Sequence, residues 1–205
     1  GGGGAGGGGF TLLELLIALS ILAALVAIAL GGLRVGAAAW QQGEDRAEAH
    51  QHARSLAEII ARSVAGSFPY RAAPREGGEA SLLFVGEEDR LAFVTLSPPF
   101  PLAAPIAFTA VVFSLESGKR PGLAVREKAL PNFEPFEVEQ PVLVDSSVAE
   151  ATFSYLRAGG EWEKSWNGAE EKKLPEAVQI QITTTVKGKR EAFPPLTVSL
   201  KASLP

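Results

Sequence analysis

From Leu15 to Leu33 the chain carries no charged side chain, and Ser20 is its one hydroxyl, so the run reads as apolar on every side of a helix. At about 1.5 Å per residue its 19 residues cover roughly 28 Å, close to the ~30 Å hydrocarbon core of a bilayer. A secretory signal offers only about 7–15 apolar residues with small residues after them. Here the run is longer and the small residues stand before it, which predicts a span that the mature protein keeps. Beyond Leu33 the helical pattern continues but becomes one-sided. Ala49, Ala53, Leu56, Ile60 and Val64 recur at spacings of four, three, four and four, while Glu44, Asp45, Arg46, Glu48, Arg54, Glu58 and Arg62 fill the other faces. Glu58 and Arg62 form a favourable i,i+4 pair. The spacing predicts one long helix, a rod of roughly 80 Å, with bends at Gly31-Gly32 and Gly43 and a stop at Gly66 and Pro69. An anchor that is apolar all round below and one-sided above suits a helix whose upper part packs on a sheet.

From about residue 80 the period falls to two. Ser81–Val85 and Leu91–Leu96 are short apolar runs joined by Glu87-Glu88-Asp89 after Gly86, a hairpin turn. Ser97 to Pro105 holds four prolines and cannot enter a ladder. Ile106–Leu115, Leu123–Arg126 and Val142–Val144 are predicted strands. Val148–Leu156 sets Ala151, Phe153 and Tyr155 against Glu150, Thr152 and Ser154. Val178–Val186 alternates most regularly, and after a turn at Lys187-Gly188-Lys189 the residues Leu196, Val198 and Leu200 return as its partner. The fold class is α+β: a long N-terminal transmembrane and amphipathic helix followed by an antiparallel β-sheet domain. No internal repeat is visible.

Composition narrows the function classes. Of 205 residues, about 170 remain outside the leader and span, enough for one domain with a core. A net charge of −4 with 20% charged residues argues against a nucleic-acid binder. Absence of cysteine excludes disulfides, thiolate metal sites and a cysteine nucleophile. His50 and His52, two apart on a helix, point to different faces and read as solvated side chains rather than a shared metal site. Ser146-Ser147 and Ser165 have no histidine close in sequence, and no Gly-x-Ser-x-Gly occurs. Glu87-Glu88-Asp89 and Glu170-Glu171 read as loop coating, with a calcium site as the minor alternative. No cofactor or metal is expected.

Glu14 is the one carboxylate near the head of the apolar helix. An ionisable side chain inside such a span costs about 2.5–3.5 kcal/mol on insertion scales, so it has a partner or a purpose. Thr11 and Glu14 have capping-box spacing, which is one explanation. The other needs Gly9: a cut between Gly9 and Phe10 would place a new α-amine one turn from Glu14, where a neighbouring subunit's carboxylate could neutralise it. Spacing alone leaves both open. The hexad Gly9-Phe10-Thr11-Leu12-Leu13-Glu14 followed by an apolar helix resembles the type IV prepilin signature, shared by type IV pilins and type II secretion pseudopilins. That resemblance covers residues 9–33. It implies a pilin-like fold, cleavage after Gly9 by the prepilin peptidase, N-methylation of Phe10 and a role for Glu14 in subunit assembly. It divides the chain into a leader (1–9), a transmembrane and assembly helix (10–33), its amphipathic continuation (34–67) and a periplasmic β domain (68–205). One feature departs from the family. Residues 1–9 are glycine apart from Ala5 and carry no Lys or Arg, so they read as artificial or masked residues rather than a basic leader.

A second cluster lies in Phe153-Ser154-Tyr155-Leu156, then Trp162 and Trp166, then Leu174-Pro175-Glu176-Ala177-Val178. Chemistry alone allows the tryptophans to be core plugs with hydrogen-bonded indoles or aromatic anchors at a protein interface. Their order resembles the minor pseudopilin J family of type II secretion systems. The resemblance implies a structural, non-enzymatic subunit at the tip of a periplasmic pseudopilus. Its partners would be the I and K minor pseudopilins, the major pseudopilin and the prepilin peptidase, and it would span the inner membrane once with its C-terminal domain in the periplasm. The alternative is a minor type IV pilin serving pilus assembly, adhesion or DNA uptake. A membrane-anchored enzyme lacks an acid–base or nucleophile constellation here, and a tethered binding module that never polymerises is the remaining class.

Overall fold

The computed structural model describes residues 11–73, 77–100, 107–118, 120–186 and 188–200. Gly9 and Phe10 fall outside them, as do Pro101, Pro105, Ile106 and Lys187. The first element is α1, Leu12–Ala65, and its helical assignment is unbroken through Gly31, Gly32 and Gly43, so the predicted bends do not interrupt it. By contacts the chain divides into two units, Gly1–Ala47 and Glu48–Pro205. In the first unit the described residues form helix from Leu12 onward, and every described side chain there is exposed.

In the second unit the end of α1 packs on β structure through the predicted stripe: Ala53, Leu56, Ile60 and Val64 are buried and Ala49 is half-buried. Helix α1 ends where expected, but for a different reason. Gly66 is not in the left-handed region; a Cβ there would lie 2.8 Å from Thr95 Oγ1 and 2.9 Å from the Ser97 side chain. The chain needs a bare backbone at that point because α1 ends against a strand. Thr95 Oγ1 donates to the Ser63 carbonyl at 2.7 Å, and the Leu96 N–H donates to Gly66 O at 3.0 Å.

All strand pairs are antiparallel. Strands β1 (Arg71–Ala72) and β2 (Ser81–Leu82) form a small ribbon, and β3 (Phe84–Gly86) starts the larger sheet. It continues with β4 (Arg90–Thr95), β5 (Thr109–Glu116), β6 (Gly122–Ala129) and β7 (Leu143–Asp145). A second sheet is built on β8 (Val148–Leu156) and β9 (Trp162–Glu163). After β10 (Trp166–Asn167) and the single turn α2 (Gly168–Glu171), the second sheet is completed by β11 (Ala177–Val186), β12 (Lys189–Ala192) and β13 (Leu196–Ser199). One core is shared by Leu56, Ile60 and Val64 of α1, by Phe93, Phe113 and Val125 of the larger sheet, and by Phe153, Tyr155 and Ile180 of the second. The opposite face of the larger sheet is also covered: Val94, Ala110 and Leu130 pack with Tyr70, Leu83, Phe108 and Phe136. Burial on both faces is why β4 and the first half of β5 read as continuous apolar runs rather than alternating ones.

The structure departs from the predicted elements where tertiary pairing overrides local pattern. The Ser81–Val85 run is split at Leu83 between β2 and β3. Strand β6 runs three residues past Arg126 because its charged residues find partners. Arg126 bonds Glu116 and Ser114, Glu127 accepts from the Phe100 N–H at 3.0 Å, and Lys128 Nζ reaches the carbonyls of Phe133 and Glu134 at 3.2 and 3.1 Å. The return of Leu196 and Val198 onto β11 is as expected, with Val178 opposite Val198, but β12 takes the other half of β11, pairing Thr183 with Ala192.

Candidate functional site

The first candidate site is the head of α1. The Glu14 N–H donates to Thr11 Oγ1 at 3.3 Å, and the Leu15 N–H donates to Thr11 O at 3.2 Å. Thr11 therefore caps the helix and places a carboxylate in its first turn, where the helix dipole favours negative charge. Leu12, Leu13, Leu15, Leu16 and Ile17 are all more than half exposed around it. Farther along, the Ser20 hydroxyl donates to Leu16 O at 2.8 Å, so the one hydroxyl of the run is satisfied inside the helix. Among the described residues, α1 is the one helix long and apolar enough to cross a membrane by length and composition.

The second candidate is the aromatic loop, and here the two tryptophans part. Trp162, on β9 beside β8 of the second sheet, is 43% exposed. Trp166, four residues on, has crossed to the larger sheet, where β10 pairs with β3 and Trp166 faces Gly86. It is 2% exposed, its indole N–H donates to Lys173 O at 3.0 Å, and the Arg157 guanidinium lies 5.2 Å from its ring centroid. Arg157 is held over the indole by a two-point bond to Glu171 at 2.8 and 3.0 Å, which keeps the Glu171 carboxyl below its ordinary range. Trp166 is a core plug, and Trp162 keeps a free face. Asn167 caps α2, its side chain accepting from the Ala169 N–H at 3.1 Å, and Pro175 behind it is buried.

Tyr155 belongs to the same cluster and ties the sheets together. It is fully buried on β8, meets Phe84 edge-on with centroids 6.1 Å apart, and donates its hydroxyl to Glu87 O at 2.8 Å. Burial pushes its phenol well above the ordinary range, so it stays a neutral donor. The turn at Glu87-Glu88-Asp89 is thus more than coating: the Glu87 and Glu88 carbonyls accept from Tyr155 and from the Phe153 N–H, while the Glu88 carboxylate meets Lys164 at 3.1 Å.

The histidines are partnered rather than simply solvated. His50 Nε2 lies 3.1 Å from Glu191 Oε1 on β12 and its ring meets Phe193 edge-on at 5.1 Å. His52 Nε2 lies 2.6 Å from Asp145 Oδ2 on β7. The two rings reach different sheets, as the i,i+2 spacing requires. Burial raises the Asp145 carboxyl, but bonds from Ser147 and His52 outweigh it and leave it below its ordinary value. The signal for these pairs was invisible locally, since the partners stand 93 and 141 residues away. Among the described residues no group of three or more His, Asp or Glu could hold a metal ion.

Comparison with known proteins decides between the pilin-like families. Residues 7–30 match the prokaryotic N-terminal methylation motif. Residues 31–193, most of the chain, match the family described as type II secretion system (T2SS), protein J. The chain belongs to this family of pseudopilins. A relative, type II secretion system protein J of Xanthomonas campestris pv. campestris, is 32% identical over 92 residues, which cover 45% of this chain and 44% of that protein. The protein J match runs from inside α1 through β12 and takes in all three tryptophans and Tyr155.

Proposed function

We propose that the chain is a structural minor pseudopilin that works without catalysis at the tip of a periplasmic pseudopilus, starting its assembly and aiding protein export. The leader is removed between Gly9 and Phe10 by the prepilin peptidase, and Phe10 is methylated. Helix 10–33 anchors the chain in the inner membrane, with the β domain in the periplasm, until it is drawn into a bundle of like helices. There Glu14 neutralises the new amine of a neighbouring subunit, the I and K minor pseudopilins and the major pseudopilin being the neighbours. The observation that carries this reading is the head of α1: an exposed apolar helix, capped by Thr11, that holds one carboxylate in its first turn. A minor type IV pilin would share that helix, but the match over residues 31–193 favours the secretion reading.

The test is Glu14→Ala in the full chain. Leader cleavage and the thermal unfolding of the β unit stay as in the parent, while recovery of the chain with the assembled tip falls. Equal recovery in a pull-down of the tip removes Glu14 from the assembly mechanism.

A further inference from the structure

Trp40 is the most exposed of the three tryptophans, at 77%, against 43% for Trp162 and 2% for Trp166. It stands on α1 where the apolar character ends: Val35 and three successive alanines precede it, and Gln41, Gln42, Glu44 and Arg46 follow within six residues. Seven residues separate Leu33 from Trp40, roughly 10 Å along a helix. Twenty-six separate Glu14 from Trp40, roughly 39 Å, which approaches the ~40–45 Å of a bilayer with its headgroup layers. Centred in such a bilayer, those roughly 39 Å put Glu14 and Trp40 each roughly 5 Å outside a ~30 Å core, in opposite headgroup layers. Arg34, about 5 Å inside the core edge in this placement, has a stem long enough to bring its guanidinium up to the same layer. An indole, apolar in body with one N–H to satisfy, is the side chain that this layer favours.

We propose that Trp40 is a lipid contact: its indole seats in the interfacial layer on the side of the bilayer away from Glu14 and sets the depth of the helix. The inference rests on the membrane-anchor reading and adds to it a second fixed point. The span is then held at both ends, by the Glu14 carboxylate at one interface and an indole at the other. Glu14 in this placement is hydrated in the resting subunit and loses its water only when the helix leaves the bilayer. Gly32 and Gly36 lie on the same helical face as Trp40 and leave a shallow groove beside the indole. That groove could also admit another helix, so a protein neighbour is the competing occupant.

The experiment uses the full chain and its Trp40→Phe variant in phosphatidylcholine vesicles, the difference between their emission spectra isolating Trp40. Flotation of both proteins with the vesicles tests the anchor reading separately. With lipids brominated near the headgroup end of the acyl chain, the Trp40 difference signal is lost to a greater extent than with lipids brominated near the chain end, and iodide in the water quenches it weakly. Strong quenching by iodide and none by brominated lipid in floating protein overturns the proposal while leaving the anchor intact. A blue-shifted signal that neither quencher reaches places Trp40 against protein and also overturns it. Failure of both proteins to float overturns the two readings together.

Discussion

Gly86 sits opposite Trp166 across the β3–β10 pair, and the Tyr155 ring occupies the place a side chain would need. A Cβ on Gly86 would fall 2.2 Å from Tyr155 Cζ. The glycine is there for space, and a rigid ring held by its own hydroxyl bond cannot step aside. Gly86→Ala is therefore expected to destabilise the β unit by about 1–3 kcal/mol or more, read as a lower urea midpoint for the full chain in detergent. Two half-buried carboxylates titrate in opposite senses. Asp145 is held below its ordinary value of 3.8, so its contribution is complete above that value and is lost as pH falls through the folded one. Glu127 is raised above 4.5 by burial, only partly offset by the Phe100 N–H, so its ionised form costs stability and that cost is relieved as pH falls through its folded value. Asp145→Asn should lose about 1–3 kcal/mol at neutral pH. Glu127→Gln keeps an acceptor for Phe100 and should be neutral or up to about 1 kcal/mol more stable. In both cases the gap from the parent closes on acidification, and urea unfolding across a pH series checks the two signs.

At the scale of elements, the amphipathic stripe was legible because a helix on a sheet repeats its buried residues every three or four positions, and Leu56, Ile60 and Val64 are buried as that period requires. Strands β8 and β11 were legible for the matching reason at period two. Strands β9, β10 and β12 were not, since two to four residues with polar neighbours carry no period. Only the pairing of β10 is decided by a distant strand, Gly86 for Trp166. Strands β9 and β12 fold back on the strand just before them, Leu156 opposite Trp162 and Val186 opposite Lys189. The end of α1 is marked by Gly66 in the sequence, yet the requirement for glycine comes from Thr95 and Ser97, about thirty residues on. Ile60→Ala should cost about 2–5 kcal/mol, because Ile60 touches both sheets' core and leaves a cavity. The same change at exposed Arg54 should stay within about 0.5 kcal/mol, and thermal unfolding of the two variants separates a packed stripe from a generic helix effect.

For the whole molecule, the division into two contact units separates a stretch whose exposed apolar surface requires another phase or another subunit from one that buries its own core. Function on the reading above needs both: the helix to enter a bundle, and the β unit to present a surface. Trp162 belongs to that surface, while Trp166 belongs to the core. Trp166→Ala should cost about 3–5 kcal/mol, whereas Trp162→Ala should leave stability within about 0.5 kcal/mol. If Trp162 anchors a partner, its alanine variant loses recovery of the other tip subunits at unchanged stability. Unchanged recovery assigns the exposed indole no interface role.

The sequence by itself determined what depends on neighbours along the chain. A run of 19 uncharged residues, a carboxylate three positions after a threonine, and alternation in the long strands are local facts, and each acts through a local period or a cap. Tertiary structure alone decided which tryptophan is buried, which carboxylates receive the histidines, and why Gly66 and Gly86 must be bare. Those outcomes depend on groups that folding brings within a few ångströms from 29 to 141 residues away, and no pattern along the chain encodes such a distance.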